Sequence, residues 1–119
     1  FFLGALNIMR GRDNGLPDYN TVRKYFHLQP IEQWIDINPD LFNQKPELLG
    51  QISAAYNNKL NNIDLYIGGM LESKNGPGEL FATIIKEQFI RIRDADRFWF
   101  ENTENGFVLF LHKNNSKST

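Results

Sequence analysis

A stripe of apolar side chains between residues 80 and 92 constrains the fold of this chain more strongly than any other feature of its sequence. The apolar positions are Leu80, Phe81, Ile84, Ile85, Phe89 and Ile92. An α-helix repeats every 3.6 residues, so these positions share one face, and the charged residues between them lie off that face. The pattern predicts an amphipathic helix of about four turns.

Helical periodicity also begins the chain, where a strong break divides two predicted helices. Apolar residues recur near one face over residues 1 to about 12, and Gly15-Leu16-Pro17 then interrupts the pattern. Pro17 followed by Asp18 suits the first turn of a new helix, because a missing N–H matters little there and a carboxylate favours the helix dipole. This second helix is expected to end near Leu28.

The middle of the chain is expected to alternate between short helices and turns. Asn38 followed by Pro39 predicts an N-cap and a helix over residues 39–44, and Pro46 starts another that fades into an Asn-rich turn. Residues 63–70 fit either a short strand or a single turn. Residues 68–78, with four glycines, are expected to form the largest flexible segment. Together these elements indicate a mainly α fold.

Composition excludes several classes of partner. The 13 Lys and Arg residues nearly balance the 14 Asp and Glu residues, so the chain lacks the positive charge that nucleic acid binding requires. Apolar runs are only a few residues long, whereas a membrane-spanning helix needs about 20, so we expect no direct membrane insertion by this segment. Without cysteine, the chain has no disulfide, thiolate metal site or cysteine nucleophile.

Patterns that carry chemistry are incomplete in this sequence. His27 and His112 are far apart and have no partner at metal-ligand spacing, so neither is expected to bind a metal or act as a base. The serines lie outside any nucleophile-elbow pattern. The Gly-rich segment lacks the Lys-Ser/Thr pair of a phosphate-binding loop. We therefore expect no catalytic residue and no metal site in the chain.

One segment partly matches a calcium-binding EF-hand loop. Oxygen-bearing side chains occupy four of the ligand positions: Asp36, Asn38, Asp40 and Glu47. The position that requires glycine is Leu41, and two prolines lie within the would-be loop. Helix starts explain the same residues better, with Asn38 as an N-cap and Glu47 in a first turn.

Positive charge is densest in the first 24 residues, at Arg10, Arg12, Arg23 and Lys24, with Asp13 among them. Composition favours a solvated surface with local ion pairs, because charge clusters are usually exposed. The sharper alternative is that an arginine beside an apolar helix face pairs with a buried carboxylate, which the guanidinium binds bidentately.

The stretch from Ala5 to Asn20, ALNIMRGRDNGLPDYN, resembles the segment that follows the proximal ligand in animal haem peroxidases. Four further segments look like family segments in family order: DINPDL (36–41), GGMLES (68–73), GPGELF (76–81) and DRFWFEN (96–102). The sequences of these segments are most similar to those of the dual-oxidase branch of the family. The resemblance implies the C-terminal part of the family's helical fold over residues 1–106. Residues 107–119 depart from the family pattern and end in a polar stretch, so we expect a divergent, disordered tail there. Phe1 lies within an apolar pattern, which indicates a truncated start.

The resemblance also implies two haem-pocket residues. The family residue that matches Asn7 accepts a hydrogen bond from the ring N–H of the proximal histidine, and the one that matches Arg10 lies against a haem propionate. A hydrogen-bond acceptor behind the histidine orients the imidazole, and a guanidinium offsets a partly buried carboxylate. The family's haem ligands, distal arginine and calcium loop precede the matched segment, so the chain alone is expected to be inactive.

By this resemblance the chain is part of a haem peroxidase domain that performs peroxide-dependent oxidation and takes part in the response to oxidative stress. Its parent would be a dual-oxidase-like enzyme that generates or uses hydrogen peroxide, with NADPH and FAD bound by other domains. Its partners would be haem and the rest of the parent chain, on the extracellular side of a membrane-anchored protein. Two alternatives are a non-catalytic interaction module with a peroxidase fold and a self-contained helical domain of unrelated function.

Overall fold

A computed structural model describes residues 2–99 and 101 of the chain. Two units are present, Phe1–Thr83 and Ile84–Thr119. The helices are α1 (Leu3–Asp13), α2 (Tyr19–Tyr25), α3 (Pro39–Gln44), α4 (Pro46–Ala55), α5 (Leu65–Glu72) and α6 (Glu79–Ala95), with short 3₁₀ turns at Trp34–Ile37 and Leu60–Asn62. The described residues contain no strand beyond an isolated antiparallel bridge between Asp18 and Asp64. The predicted mainly α fold is confirmed.

The predicted break after the first helix is a glycine-terminated helix end. Gly15 has a φ of +66°, a left-handed conformation that glycine adopts without a steric penalty. The N–H of Leu16 donates to the carbonyl of Gly11 at 2.9 Å, and that of Gly15 donates to the carbonyl of Arg12 at 3.0 Å. These two bonds satisfy carbonyls that the helix end would otherwise leave unpaired.

Side-chain caps set the starts of α2 and α3. Asp18 accepts a hydrogen bond from the N–H of Thr21 at 3.0 Å, so α2 begins at Tyr19 and not at Pro17 as expected. Asn38 accepts from the N–H of Leu41 at 3.1 Å, which confirms its predicted N-cap role. An N-cap side chain satisfies one of the orphan N–H groups of the first turn, and it therefore fixes where the helix starts.

The predictions for residues 63–70 and 68–78 were wrong in part, because α5 is a two-turn helix with both of its glycines buried. A Cβ atom on Gly68 would lie 2.4 Å from the ring of Tyr19, and one on Gly69 would lie 2.1 Å from the ring of Phe81. The glycines therefore serve close packing and not flexibility.

The core of the first unit is small, and α5 packs against α1 and α2. Its buried apolar side chains are Tyr19, Val22, Ile37, Phe42, Ile63 and Leu80. Two buried amides join loops to this core. Asn20 exchanges hydrogen bonds with the backbone of Ile31, and Asn38 donates to the carbonyl of Leu71. Each bond pairs a polar group that burial would otherwise penalise.

The second unit contains most of α6, which confirms the helix that the apolar stripe predicts. Several of its apolar side chains are exposed, among them Ile85, Phe89, Ile90 and Ile92. Phe98 is 75% exposed, and Phe100 lies outside the described residues. The predicted boundary at residue 106 and the predicted tail over 107–119 also lie outside them. No helix in the described part of the chain is long and apolar enough to cross a membrane.

Candidate functional site

Helix α1 carries the two residues for which the family resemblance predicts a role in a haem pocket. Asn7 is half-buried and Arg10 is exposed, and no residue of the helix is fully buried. Their spacing of three positions places them on adjoining parts of the helix surface. Neither side chain makes a hydrogen bond or an ion pair with any other described residue. Within the described part of the chain, the Asn7 amide and the Arg10 guanidinium therefore have no side-chain partner.

Asn7 also lines a cleft of about 310 Å³ beside α5, whereas Arg10 does not. The cleft is lined by polar and apolar residues that include Gly11, Arg12, Leu16, Asp64 and Tyr66. Its volume is at the lower end of the range for small-molecule sites, which is roughly 300–1,000 Å³. Asn7 therefore lies at the cleft wall, whereas the adjoining Arg10 lies on open surface.

Arg12 forms the main polar connection between α1 and the rest of its unit. Its Nε and Nη2 atoms donate to the two carboxylate oxygens of Asp64 at 2.9 and 2.7 Å. The hydroxyl of Tyr56 donates to the same carboxylate at 2.7 Å. This three-residue cluster, here called the α1 anchor, includes two residues that received no role from the sequence.

The electrostatics of the α1 anchor favour an ionised carboxylate. Hydrogen bonds from Arg12 hold the pKa of Asp64 below its ordinary value, although partial burial opposes the shift. The same pairing raises the pKa of Arg12. Burial and the neighbouring carboxylate raise the pKa of Tyr56 to about 12, so its hydroxyl remains a hydrogen-bond donor.

Arg23, a member of the positive cluster, fits the interpretation in which an arginine pairs with a buried carboxylate. It is 3% exposed and forms ion pairs with Glu72 and with Glu79, the latter at 2.6 Å. Its Nε atom donates to the carbonyl of Gln29 at 2.6 Å. Glu72 also accepts from the N–H of Leu80 at 3.0 Å, in the first turn of α6. The surface interpretation is therefore wrong for Arg23, whose partners lie 49 and 56 residues away.

The remaining candidates of the sequence stand apart from these clusters. His27 is exposed and closes α2 with a φ of +59°, and His112 lies outside the described residues. Asp40, once a calcium-loop candidate, pairs with Lys74 at 2.5 Å. Within residues 2–99 and 101, no group of three or more His, Cys, Asp or Glu side chains is arranged to hold a metal.

Comparison with known proteins supplies the family. The family model for animal haem peroxidase matches residues 2–114. The chain is 64% identical over 104 residues to the dual oxidase of Drosophila melanogaster, covering 87% of this chain and 7% of that protein. It is 50% identical over 99 residues to human dual oxidase 1, covering 83% of this chain and 6% of that protein. The chain thus spans only a small part of these curated relatives.

A solved structure extends the comparison to the fold. Peroxidase A from Dictyostelium discoideum matches with a TM-score of 0.69 and 37% sequence identity, over 83% of this chain and 19% of that one. The resemblance to the dual-oxidase branch and the helical peroxidase fold are both confirmed. The chain belongs to the animal haem peroxidase family.

Proposed function

We propose that α1 forms part of the wall of a haem pocket in the peroxidase domain of a dual-oxidase-like oxidoreductase. Asn7 accepts a hydrogen bond from the ring N–H of a proximal histidine that the rest of the domain supplies. Arg10 pairs with a haem propionate. The observation that carries this proposal is that both polar groups lack a side-chain partner among the described residues, on a helix with no fully buried position.

The polar groups on α1 fit these two partners chemically. Arg12 and Arg23 are each satisfied by carboxylates of this chain, whereas Arg10 has no carboxylate within the described residues. A haem propionate would supply this missing carboxylate, and a guanidinium binds a carboxylate well through two parallel hydrogen bonds. The Asn7 amide oxygen is a neutral acceptor of the kind that fixes an imidazole tautomer.

Bound haem would supply the peroxide-dependent oxidation chemistry. The residues of this chain bind the haem and orient its ligand. Asn7 holds the plane of the imidazole and makes the ring more basic, and Arg10 neutralises a propionate that burial would destabilise. An axial ligand and an acid–base pair are left to other parts of the domain. We therefore propose that the isolated chain is inactive.

The wider proposal concerns the parent protein. The dual-oxidase relatives support a parent that generates or uses hydrogen peroxide, binds NADPH and FAD in other domains and responds to oxidative stress. In this proposal residues 1–106 belong to a peroxidase domain on the extracellular side of a membrane-anchored protein. The exposed apolar side chains of α6, among them Phe89 and Ile92, contact other parts of that domain.

Haem uptake by the complete peroxidase domain tests the two residue roles. Asn7→Ala and Arg10→Ala should each lower haem affinity or peroxidase turnover by about 10- to 100-fold, as the loss of supporting hydrogen bonds does at other metal sites. Arg91→Ala is the matched control, since Arg91 is an exposed arginine that pairs with Glu87 on α6. Unchanged absorbance and turnover in both test variants would overturn the proposal and favour a non-catalytic interaction module.

A further inference from the structure

We infer that the α1 anchor of Arg12, Asp64 and Tyr56 sets the orientation of α1 and thereby positions Asn7 and Arg10. The inference rests on the proposed function and adds three positioning residues to it. None of the three is proposed to contact haem. Their effect is transmitted through the helix that carries the two contact residues.

Helix α1 packs against α5 but makes few directional contacts with other elements of its unit. No residue of the helix is fully buried, and its N-cap, Phe2, provides no side-chain hydrogen bond. Among the described residues, the only hydrogen bonds that α1 side chains make to other elements are those of Arg12 to Asp64. The rotation of the helix about its axis therefore depends on this pair.

The geometry of the pair is suited to fixing an orientation. Two parallel N–H donors meet two carboxylate oxygens, so the guanidinium plane has one preferred direction. Asp64 is itself fixed, because the Tyr56 hydroxyl donates to it and its side chain is only 16% exposed. The Arg12 side chain is 63% exposed, so the flexible member of the pair is held by the rigid one.

The position of Asp64 in the chain supports a role outside its own helix. Asp64 is the N-cap of α5, with extended backbone angles, but its side chain makes no capping hydrogen bond. Asp18 and Asn38, at the same position of α2 and α3, both cap their helices. An aspartate at an N-cap ordinarily accepts from the second or third residue of the helix. Asp64 instead directs both oxygens to Arg12 and Tyr56.

Helical geometry connects the anchor to the proposed haem contacts. At 3.6 residues per turn, Arg10 and Arg12 lie about 160° apart around the helix. Fixing Arg12 toward α5 therefore holds Arg10 on the opposite, open side. Asn7 lines the same cleft as Arg12 and Asp64, so a rotation of α1 changes its direction as well.

The test uses the complete haem-loaded peroxidase domain with Arg12→Lys, Asp64→Asn and Tyr56→Phe. The readouts are the iron–imidazole stretching band, the haem reduction potential and the thermal unfolding midpoint. Arg12→Lys keeps the charge but loses the bidentate fork, so it should shift the band in the direction that Asn7→Ala does and lower turnover by about 10-fold. Tyr56→Phe should give a smaller shift. The Arg12→Asp, Asp64→Arg double variant should recover part of the band position.

The outcomes separate this inference from the function on which it rests. If Asn7→Ala moves the band but neither Arg12→Lys nor Asp64→Asn does, the anchor inference is wrong and the proposed function stands. If Asn7→Ala and Arg10→Ala leave band and haem uptake unchanged, both are overturned. Arg91→Lys is the control, because it makes the same substitution at an exposed arginine that pairs with Glu87 in the other unit. A band shift of equal size in this control would also overturn the inference. Should Asp64→Asn fail to fold, Arg12→Lys decides alone.

Discussion

Two arginines of the first unit, Arg23 and Arg10, have opposite surroundings. Arg23 is buried, and its guanidinium donates to Glu72, Glu79 and the carbonyl of Gln29. Arg10 is exposed and meets no carboxylate among the described residues. Sequence composition treats the two alike, as members of one positive cluster. Their environments assign one to the scaffold and leave the other available for an outside anion.

The contrast follows from the free energy of desolvation. A buried guanidinium is strongly destabilising unless its donors are satisfied, so a chain that buries Arg23 must place acceptors around it. The two carboxylate acceptors come from α5 and from the start of α6, so the cluster joins elements that are distant in sequence. An exposed guanidinium is under no such constraint. Its partner is therefore free to be a group outside the chain.

The largest expected effect is the loss of Arg23. Arg23→Met should destabilise the unit by about 3–5 kcal/mol, because the substitution leaves the largely buried Glu72 carboxyl group without its main partner. Urea unfolding followed by circular dichroism measures the change. Lys24→Met, at the exposed neighbouring position, is the control and should have little effect. A loss below about 1 kcal/mol would place Arg23 with ordinary surface ion pairs.

Gly68→Ala should give the next largest effect, because it acts on the ring of Tyr19 that lies beside Arg23. The added Cβ would lie 2.4 Å from that ring, so α5 must move away from α2. Overpacking of this kind costs about 1–3 kcal/mol. Gly50→Ala is the matched control, since it adds a Cβ in a helix interior where nothing lies within 4 Å. That change should instead stabilise the unit by about 0.5–1 kcal/mol. Destabilisation of equal size in both variants would show that packing against Tyr19 is not the cause.

Local signals in the sequence were sufficient for most helix boundaries. Asn38-Pro39 gave both the cap and the start of α3, and the apolar stripe gave α6. Residues 65–72 were not recognised as a helix, because two adjacent glycines lower helix propensity by about 1 kcal/mol each. Only the contacts with Tyr19 and Phe81 explain why glycine is required there. Close tertiary approach of this kind leaves no local signature.

The candidate site also contains residues that the sequence indicates and residues that only the fold brings together. The roles of Asn7 and Arg10 stay predictions, which rest on the resemblance that identified their segment. The sequence gives no such indication for Asp64, because its partner Arg12 is 52 residues away and the segment 63–70 is not predicted to be helical. An Asp directly before an apolar run is a helix-start signal that could have indicated α5. Its engagement with Arg12 in place of its own helix depends on the fold.

Acid should weaken the α1 anchor by a modest amount. The pKa of Asp64 is lower in the folded chain than its ordinary value of 3.8, so its contribution is present above that pH and is lost as the pH falls through the folded-state value. Since Arg12 is largely exposed, we expect the pair to contribute no more than about 1 kcal/mol to the free energy of unfolding. Urea unfolding of the native chain and Asp64→Asn, compared from about pH 7 to about pH 2, should show a difference that shrinks on acidification. A difference that stays constant with pH would indicate a packing effect and not an ionic one.

The smallest expected effect on stability, that of Arg10→Ala, is the most informative for the comparison. Because the guanidinium of Arg10 has no side-chain partner among the described residues, its removal should change the unfolding free energy of the 119-residue chain by less than about 0.5 kcal/mol. The same substitution should reduce haem uptake in the complete domain. Arg23→Met should show the opposite pattern: its effect on the unfolding free energy should be larger than its effect on haem uptake. A destabilisation above about 1 kcal/mol for Arg10→Ala would assign Arg10 to the scaffold and remove the distinction between the two arginines.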